Sequence, residues 1–201
     1  MKRKTDAIHP LCSKIEAKKQ RKKGNQLAPQ VPEGWKTMAS TPRFLLAVAS
    51  LLEKSIQRNE KLFASSFASS QKDSITVFDG SKAPNMNVRQ YMERIFKYAS
   101  CSTSCFVVAY IYIERFVQGT GVRLTSLNIH RLLITSVLVA AKFMDYLCHN
   151  NAYYAKVGGV STAEMNNLEM EFLFNLDFKL HVTTEVYGKY CQQLERVGRG
   201  L

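Results

Sequence analysis

The chain has 201 residues, 46% of them hydrophobic and 22% charged, with a formal net charge of +12. That is ordinary globular composition, which excludes wholesale disorder and a fibrous repeat, and the length fits one domain plus tails. Five prolines and ten glycines exclude a collagen-like chain or a Pro-rich linker. The five cysteines are odd in number and form no C-x-x-C pair, which argues against a disulfide scaffold and for a reducing compartment. No apolar run of membrane-spanning length occurs, so no membrane partner is expected. Met1-Lys2-Arg3-Lys4 has no apolar stretch behind it and does not read as a secretory signal.

The charge is uneven. Residues 1–40 hold ten Lys/Arg against three acids, and the remaining 161 residues hold 18 against 13. This first segment has few large apolar residues, and Pro29, Pro32 and Gly34 follow its basic run, so it reads as a basic disordered tail. Lys18, Lys19, Arg21, Lys22 and Lys23 read as a nuclear address or as a plain solvated tail.

Helical periodicity begins at Pro42, with Phe44, Leu45, Val48, Leu51, Leu52 and Ile56 on one face. Ser65 to Gly80 is Ser-rich and reads as a loop, within which Ser74 to Phe78 alternates only weakly. A helix is expected over Val88 to Ala99, with Tyr91, Ile95 and Tyr98 on one side. Ser102 or Thr103 caps the next, which runs to Val117 and breaks at Gly119-Thr120-Gly121. Thr125 or Ser126 opens a helix to Asp145. It is apolar all round from Leu132 to Met144 except at Lys142, the mark of a central, surrounded helix. Asn150-Asn151 to Tyr154 reads as short and irregular. A helix capped by Ser161 or Thr162 runs to Leu176, and Thr184 to Glu195 is a last helical segment. The fold class is all-α.

Charges that fall on apolar faces need partners, because an isolated buried charge is expensive. Met165, Leu168, Phe172 and Leu176 define one stripe. At about 100° per residue Glu169 lies inside it, whereas Glu171 points away. Lys142 is the other such charge. Either these two pair with each other or reach out past the core, or they sit together at the rim of an apolar surface that binds another protein. The two readings are compatible.

No catalytic Ser/His/Asp set, paired carboxylates, dinucleotide loop or phosphate loop is recognisable, so no catalytic residue and no cofactor is expected. Cys101, Cys105 and Cys148-His149 read as ordinary thiols and imidazole rather than metal ligands, and His130 and His181 as core or capping residues.

The series Tyr91-Met92-Glu93-Arg94-Ile95, Tyr112-Ile113-Glu114-Arg115-Phe116, His130-Arg131-Leu132-Leu133, Ala140-Ala141-Lys142-Phe143 and Tyr154-Ala155-Lys156-Val157-Gly158-Gly159 resembles a cyclin box. It is closest to the P-type (U-type) plant cyclins, relatives of the yeast phosphate-pathway cyclin, and covers about residues 43–192. The resemblance implies a single cyclin box within 41–195, a five-helix bundle around a central helix, preceded by a further helix and the 1–40 tail. It implies a regulatory subunit, not an enzyme, that binds and activates a cyclin-dependent protein kinase in cell-cycle or phosphate signalling, in the nucleus or cytoplasm. It places Lys142, Phe143, Asp145, Glu169 and Phe172 in the kinase-binding set, and Arg94 with Glu114 as a pair that ties the box together. No obligate homo-oligomer and no direct nucleic-acid contact is expected.

Two departures stand out. An acidic residue commonly follows the position of Asp145 in this branch and helps hold the kinase activation loop, whereas Tyr146 stands here, which weakens the implication of phosphorylation-independent activation. No Met-Arg-Ala-Ile-Leu patch is present for docking Arg-x-Leu substrates. The competing readings are a transcription-factor-like cyclin fold that binds nucleic acid, and a kinase-binding module that does not activate.

Overall fold

The computed structural model describes residues 42–65 and 76–201. Among them are seven helices and no strand: α1 (Arg43–Ser65), α2 (Val88–Tyr98), α3 (Thr103–Thr120), α4 (Ile129–Met144), α5 (Asn151–Gly158), α6 (Thr162–Asn175) and α7 (Thr184–Arg199). The all-α expectation holds. The basic run Lys18 to Lys23 lies outside the described residues, as does most of the Ser-rich loop.

α4 is the central helix expected from its unbroken apolar circumference. Every residue from Leu132 to Ala141 is buried, Thr135 and Ser136 included. The two hydroxyls cost little there because each donates to a carbonyl of its own helix, Thr135 to Arg131 and Ser136 to Leu133. α2, α3, α5 and α6 all pack against α4, which completes the five-helix bundle. α1 and α7 lie together outside it, α1 also against α2 and α7 also against α3. α1 lays Phe44, Leu45, Val48, Leu52 and Ile56 inward. Its far end is fixed by Asn59 Nδ2, which donates to the Leu124 carbonyl at 2.9 Å. Among the described residues no helix is long and apolar enough to cross a membrane.

Local chemistry moved two boundaries. Asn150 to Tyr154 is not irregular: the Asn150 side chain accepts from Tyr153 N and nucleates α5. α4 starts at Ile129, because Thr125 to Asn128 fold into a turn in which Asn128 Oδ1 accepts from Thr125 N and Asn128 Nδ2 donates to the Arg123 carbonyl. Thr76 to Asp79, within the expected loop, forms a turn. Asp79 Oδ2 accepts from Thr76 N and Oγ1 at 2.7 and 2.8 Å, which delivers Phe78 into the core against Phe116 and Phe172. α3 and α5 both end on glycines in the left-handed region, Gly121 (φ 71°) and Gly159 (φ 75°), where a side chain is disfavoured.

His130 lies in the core as expected, whereas His181 is exposed. His130 Nε2 donates to the Met86 carbonyl at 2.7 Å, its ring meets Tyr91 edge-on, and Nδ1 has no hydrogen-bond partner. Burial pushes its pKa below the ordinary 6.5, and the neighbouring Arg131 guanidinium adds to this against the opposing Met86 hydrogen bond. The unfolded chain therefore takes up this proton more readily than the folded one. Stability is full above pH 6.5 and falls as pH drops through that value towards the depressed folded pKa. The urea midpoint should decline between pH 7.5 and 5.5, and His130→Gln should flatten that slope; an unchanged slope in the variant would show that His130 does not carry it.

Candidate functional site

The site forms where the end of α4 meets α5 and α6. Lys142 stands in the last turn of α4, where a cation also complements the negative end of the helix. Ser161 starts α6 by accepting from Glu164 N at 3.0 Å, which fixes the register that turns Glu169 towards α4. Lys142 Nζ donates to both oxygens of Glu169, at 2.7 and 2.9 Å. Asn151 Nδ2, in the first turn of α5, donates to Glu169 Oε2 at 2.7 Å and to Asn166 Oδ1 at 2.8 Å. One carboxylate thus joins three helices. The Lys142 and Glu169 side chains are 14% and 13% exposed. They are covered enough for the bonds to be strong and open enough to be reached from outside.

Both charges keep bonding capacity to spare. An ammonium has three N–H donors, of which Glu169 takes two, and among the described residues Oε1 accepts from Lys142 alone. The chain that leaves α4 is apolar and uncovered: Tyr146 is 91% exposed and Leu147 81%. At the far end of α6, Phe174 and Phe178 are also exposed and meet edge to face with centroids 5.5 Å apart. Phe143 is half-buried. An ion pair set among exposed aromatic and aliphatic side chains suits protein binding, with apolar contacts for affinity and charges for register.

Two of the expected assignments do not survive. Phe172 is fully buried and stacks on Phe116 in the core, 5.3 Å between centroids, so it is out of reach of a partner. Arg94 and Glu114 do not pair. Arg94 donates to the carbonyls of Val157 and Lys156 at the end of α5, whose C-terminal carbonyls attract a cation. Glu114 accepts from the hydroxyls of Tyr110 and Tyr190, both at 2.5 Å, and so ties α3 to α7. Burial, and then the bond to this carboxylate, pushes the Tyr190 hydroxyl up to about 12. Asp145 has an internal duty: its Oδ2 accepts from Ser102 N at 2.8 Å and from the Cys105 thiol at 3.4 Å, which pins the start of α3 to the end of α4.

Sequence reasoning missed Asn151. The signal was the Asn150-Asn151 doublet ahead of an apolar stretch, a cap followed by a first-turn side chain. Among the described residues no group of three or more His, Cys, Asp or Glu could hold a metal ion.

A five-helix bundle around a buried α4, with this Lys/Glu pair at its open end, is the architecture expected of a cyclin box. The chain matches the cyclin family over residues 15–180, and it belongs to that family. Within it the likeness is to plant P- and U-type cyclins. Cyclin-P3-1 of Oryza sativa subsp. japonica is 53% identical over 166 residues, covering 83% of this chain and 69% of that protein. Cyclin-U4-2 of Arabidopsis thaliana is 50% identical over 156 residues, 77% of this chain and 71% of that protein. Cyclin-U1-1 of the same plant is 43% identical over 173 residues, 86% and 81% of the two chains.

Removing one member of the cluster leaves a nearly buried charge short of its partner. Lys142→Ala should destabilise the box by about 1–3 kcal/mol, and Asn151→Ala by less, because it removes a neutral donor. The exchange Lys142→Glu with Glu169→Lys should recover most of the loss by re-forming the pair. Urea unfolding of the three variants checks this; equal stability of Lys142→Ala and the parent would show that the pair contributes nothing to the fold.

Proposed function

We propose that the protein is the regulatory, non-catalytic subunit of a cyclin-dependent protein kinase, which it binds and activates in cell division or phosphate signalling. The observation that carries this reading is the Lys142–Asn151–Glu169 cluster, reachable from solvent and flanked by exposed Tyr146 and Leu147. A protein kinase transfers phosphate quickly only when its strand lysine and C-helix glutamate are paired and its activation loop is ordered. A rigid helical surface that binds the active position of that helix better than the inactive one shifts the population towards it. The free third N–H of Lys142 suits a backbone carbonyl of the kinase, and the spare lone pairs of Glu169 suit a backbone or side-chain N–H.

The exchange Lys142→Glu with Glu169→Lys separates docking from folding. It keeps an internal ion pair and reverses the charges that a partner meets. Kinase co-purification should be lost while the circular dichroism spectrum and urea midpoint stay near those of the parent. Undiminished co-purification of that variant would count against the assignment.

A second reading has one observation behind it. Tyr146, 91% exposed, occupies the place where an acidic residue commonly helps hold the activation loop, which suits a module that binds without activating. Phosphotransferase activity of the purified pair, compared with the kinase alone, separates the two. Nucleic-acid binding by the box has less behind it, since residues 41–201 carry 18 basic against 13 acidic side chains.

The run Lys18, Lys19, Arg21, Lys22 and Lys23 is proposed as a nuclear address. A fluorescent fusion that lacks residues 1–25 should lose nuclear enrichment; an unchanged distribution would remove that role.

A further inference from the structure

The side of the protein built from α1, α2 and α7 carries a feature that kinase binding does not use. A cleft of about 430 Å³ opens between the start of α1, the start of α2 and the end of α7. Three arginines line it, one from each helix: Arg43, Arg89 and Arg199. Glu53 is the one carboxylate side chain in the lining, and Ser50 offers a hydroxyl. Leu46 and Ala49 form part of the remaining wall. None of the lining residues comes from α4, α5 or α6, the helices that hold the Lys142 cluster.

Among the described residues the arginines make at most one exposed ion pair each. Arg43 has no ion-pair partner among the described residues. Arg89 pairs only with Glu93 one turn on, at 3.1 Å, with the arginine side chain 58% exposed. Arg199 reaches Glu195 at 3.8 Å and is 77% exposed. Such exposed pairs within one helix are weak and readily exchanged. The placement also runs against the usual electrostatics. Arg43 and Arg89 lie in the first turns of α1 and α2, near the positive ends of those helices, and neither first turn holds an acid. An anion in the cleft would meet arginines from three helices and the first turns of α1 and α2 together.

The geometry favours an anion on an extended chain over a free one. A second cleft of about 340 Å³ lies further along α1, shares Glu53 with the first, and is lined by Ile56, Pro84, Met86, Val88 and Ile129 together with polar residues such as Gln57 and His130. From Arg43 to Gln57 along α1 is about 21 Å at 1.5 Å per residue. An extended peptide covers that span in about six residues. One end of the trough is cationic and the other apolar.

We propose that this trough binds a phosphorylated peptide segment of a partner or substrate protein. The phosphoserine or phosphothreonine dianion sits among Arg43, Arg89 and Arg199, and an apolar side chain about six residues away enters the cleft at Pro84–Met86. Arginine suits this task because its planar fork of N–H donors matches phosphate oxygens two at a time. The inference does not rest on the kinase reading, since its lining includes no member of the Lys142 cluster and it is tested on the protein alone.

The test is fluorescence anisotropy with the full chain and two fluorescein-labelled peptides, each with one phosphothreonine and a leucine six positions before or after it. Their unphosphorylated counterparts and inorganic phosphate serve as competitors. At least one phosphopeptide should bind roughly tenfold or more tightly than its unphosphorylated form, with an affinity that falls as salt is raised. Arg43→Ala, Arg89→Ala and Arg199→Ala, all surface changes, should each weaken it several-fold, whereas Glu53→Gln should tighten it. Met86→Glu should weaken the peptide without affecting displacement by phosphate. Equal binding of phosphorylated and plain peptides, or indifference to the three arginine variants, would overturn the proposal. Displacement by inorganic phosphate at the same concentration as by the phosphopeptide would overturn the peptide part of it.

Discussion

The bond between Lys142 and Glu169 is the constraint on which the rest of the site depends. Two charges that are each nearly nine-tenths covered are tolerable only because they meet at 2.7 and 2.9 Å and because Asn151 supplies a further donor. The tie holds the end of α4 to the middle of α6 and the start of α5, so the three helices present one surface. It also sets what that surface offers: a cation and an anion in fixed register, beside apolar side chains that are exposed among the described residues. A pair sealed in the core would serve the fold alone, and a pair in open water would fix nothing.

Other polar ties do the same for the rest of the bundle. Asp145 joins the end of α4 to the start of α3, Arg94 closes the last turn of α5 onto α2, and Glu114 fastens α7 to α3 through Tyr190. Each is a charged side chain that meets a backbone group, a thiol or a hydroxyl. The charges on these residues are satisfied internally, so the surface around Lys142 is positioned by interactions that a partner has no need to disturb. That arrangement suits a docking platform whose shape is set before binding, which lowers the ordering cost of association.

Much of this was legible in the sequence, for definite reasons. The uninterrupted apolar circumference of α4 announced a surrounded helix. The position of Glu169 on an apolar stripe announced a charge in need of a partner, and Lys142 was the other charge out of place. Phe172 lies on that stripe too, and periodicity cannot tell a phenylalanine that faces the core from one that faces a partner. The packing of Phe78 and Phe116 decides it, and Phe78 arrives through a turn set by Asp79. Glu114 was matched to Arg94 by resemblance, but it is bonded instead by the hydroxyl of Tyr110, one turn earlier on its own helix, and by that of Tyr190, while Arg94 turns to the end of α5. α5 was missed because eight residues carry too short an apolar pattern to read, and a single asparagine cap decides its start.

Amide hydrogen exchange on the protein with the proposed kinase partner added tests the docking surface most directly. Relative to the protein alone, protection should rise over residues 142–147 at the end of α4 and over 166–174 in α6, and stay unchanged over α1 and α7. Protection confined to α1, α2 and α7, with the end of α4 and α6 exchanging as freely as before, would contradict the central claim that the Lys142–Glu169 surface is where the kinase binds.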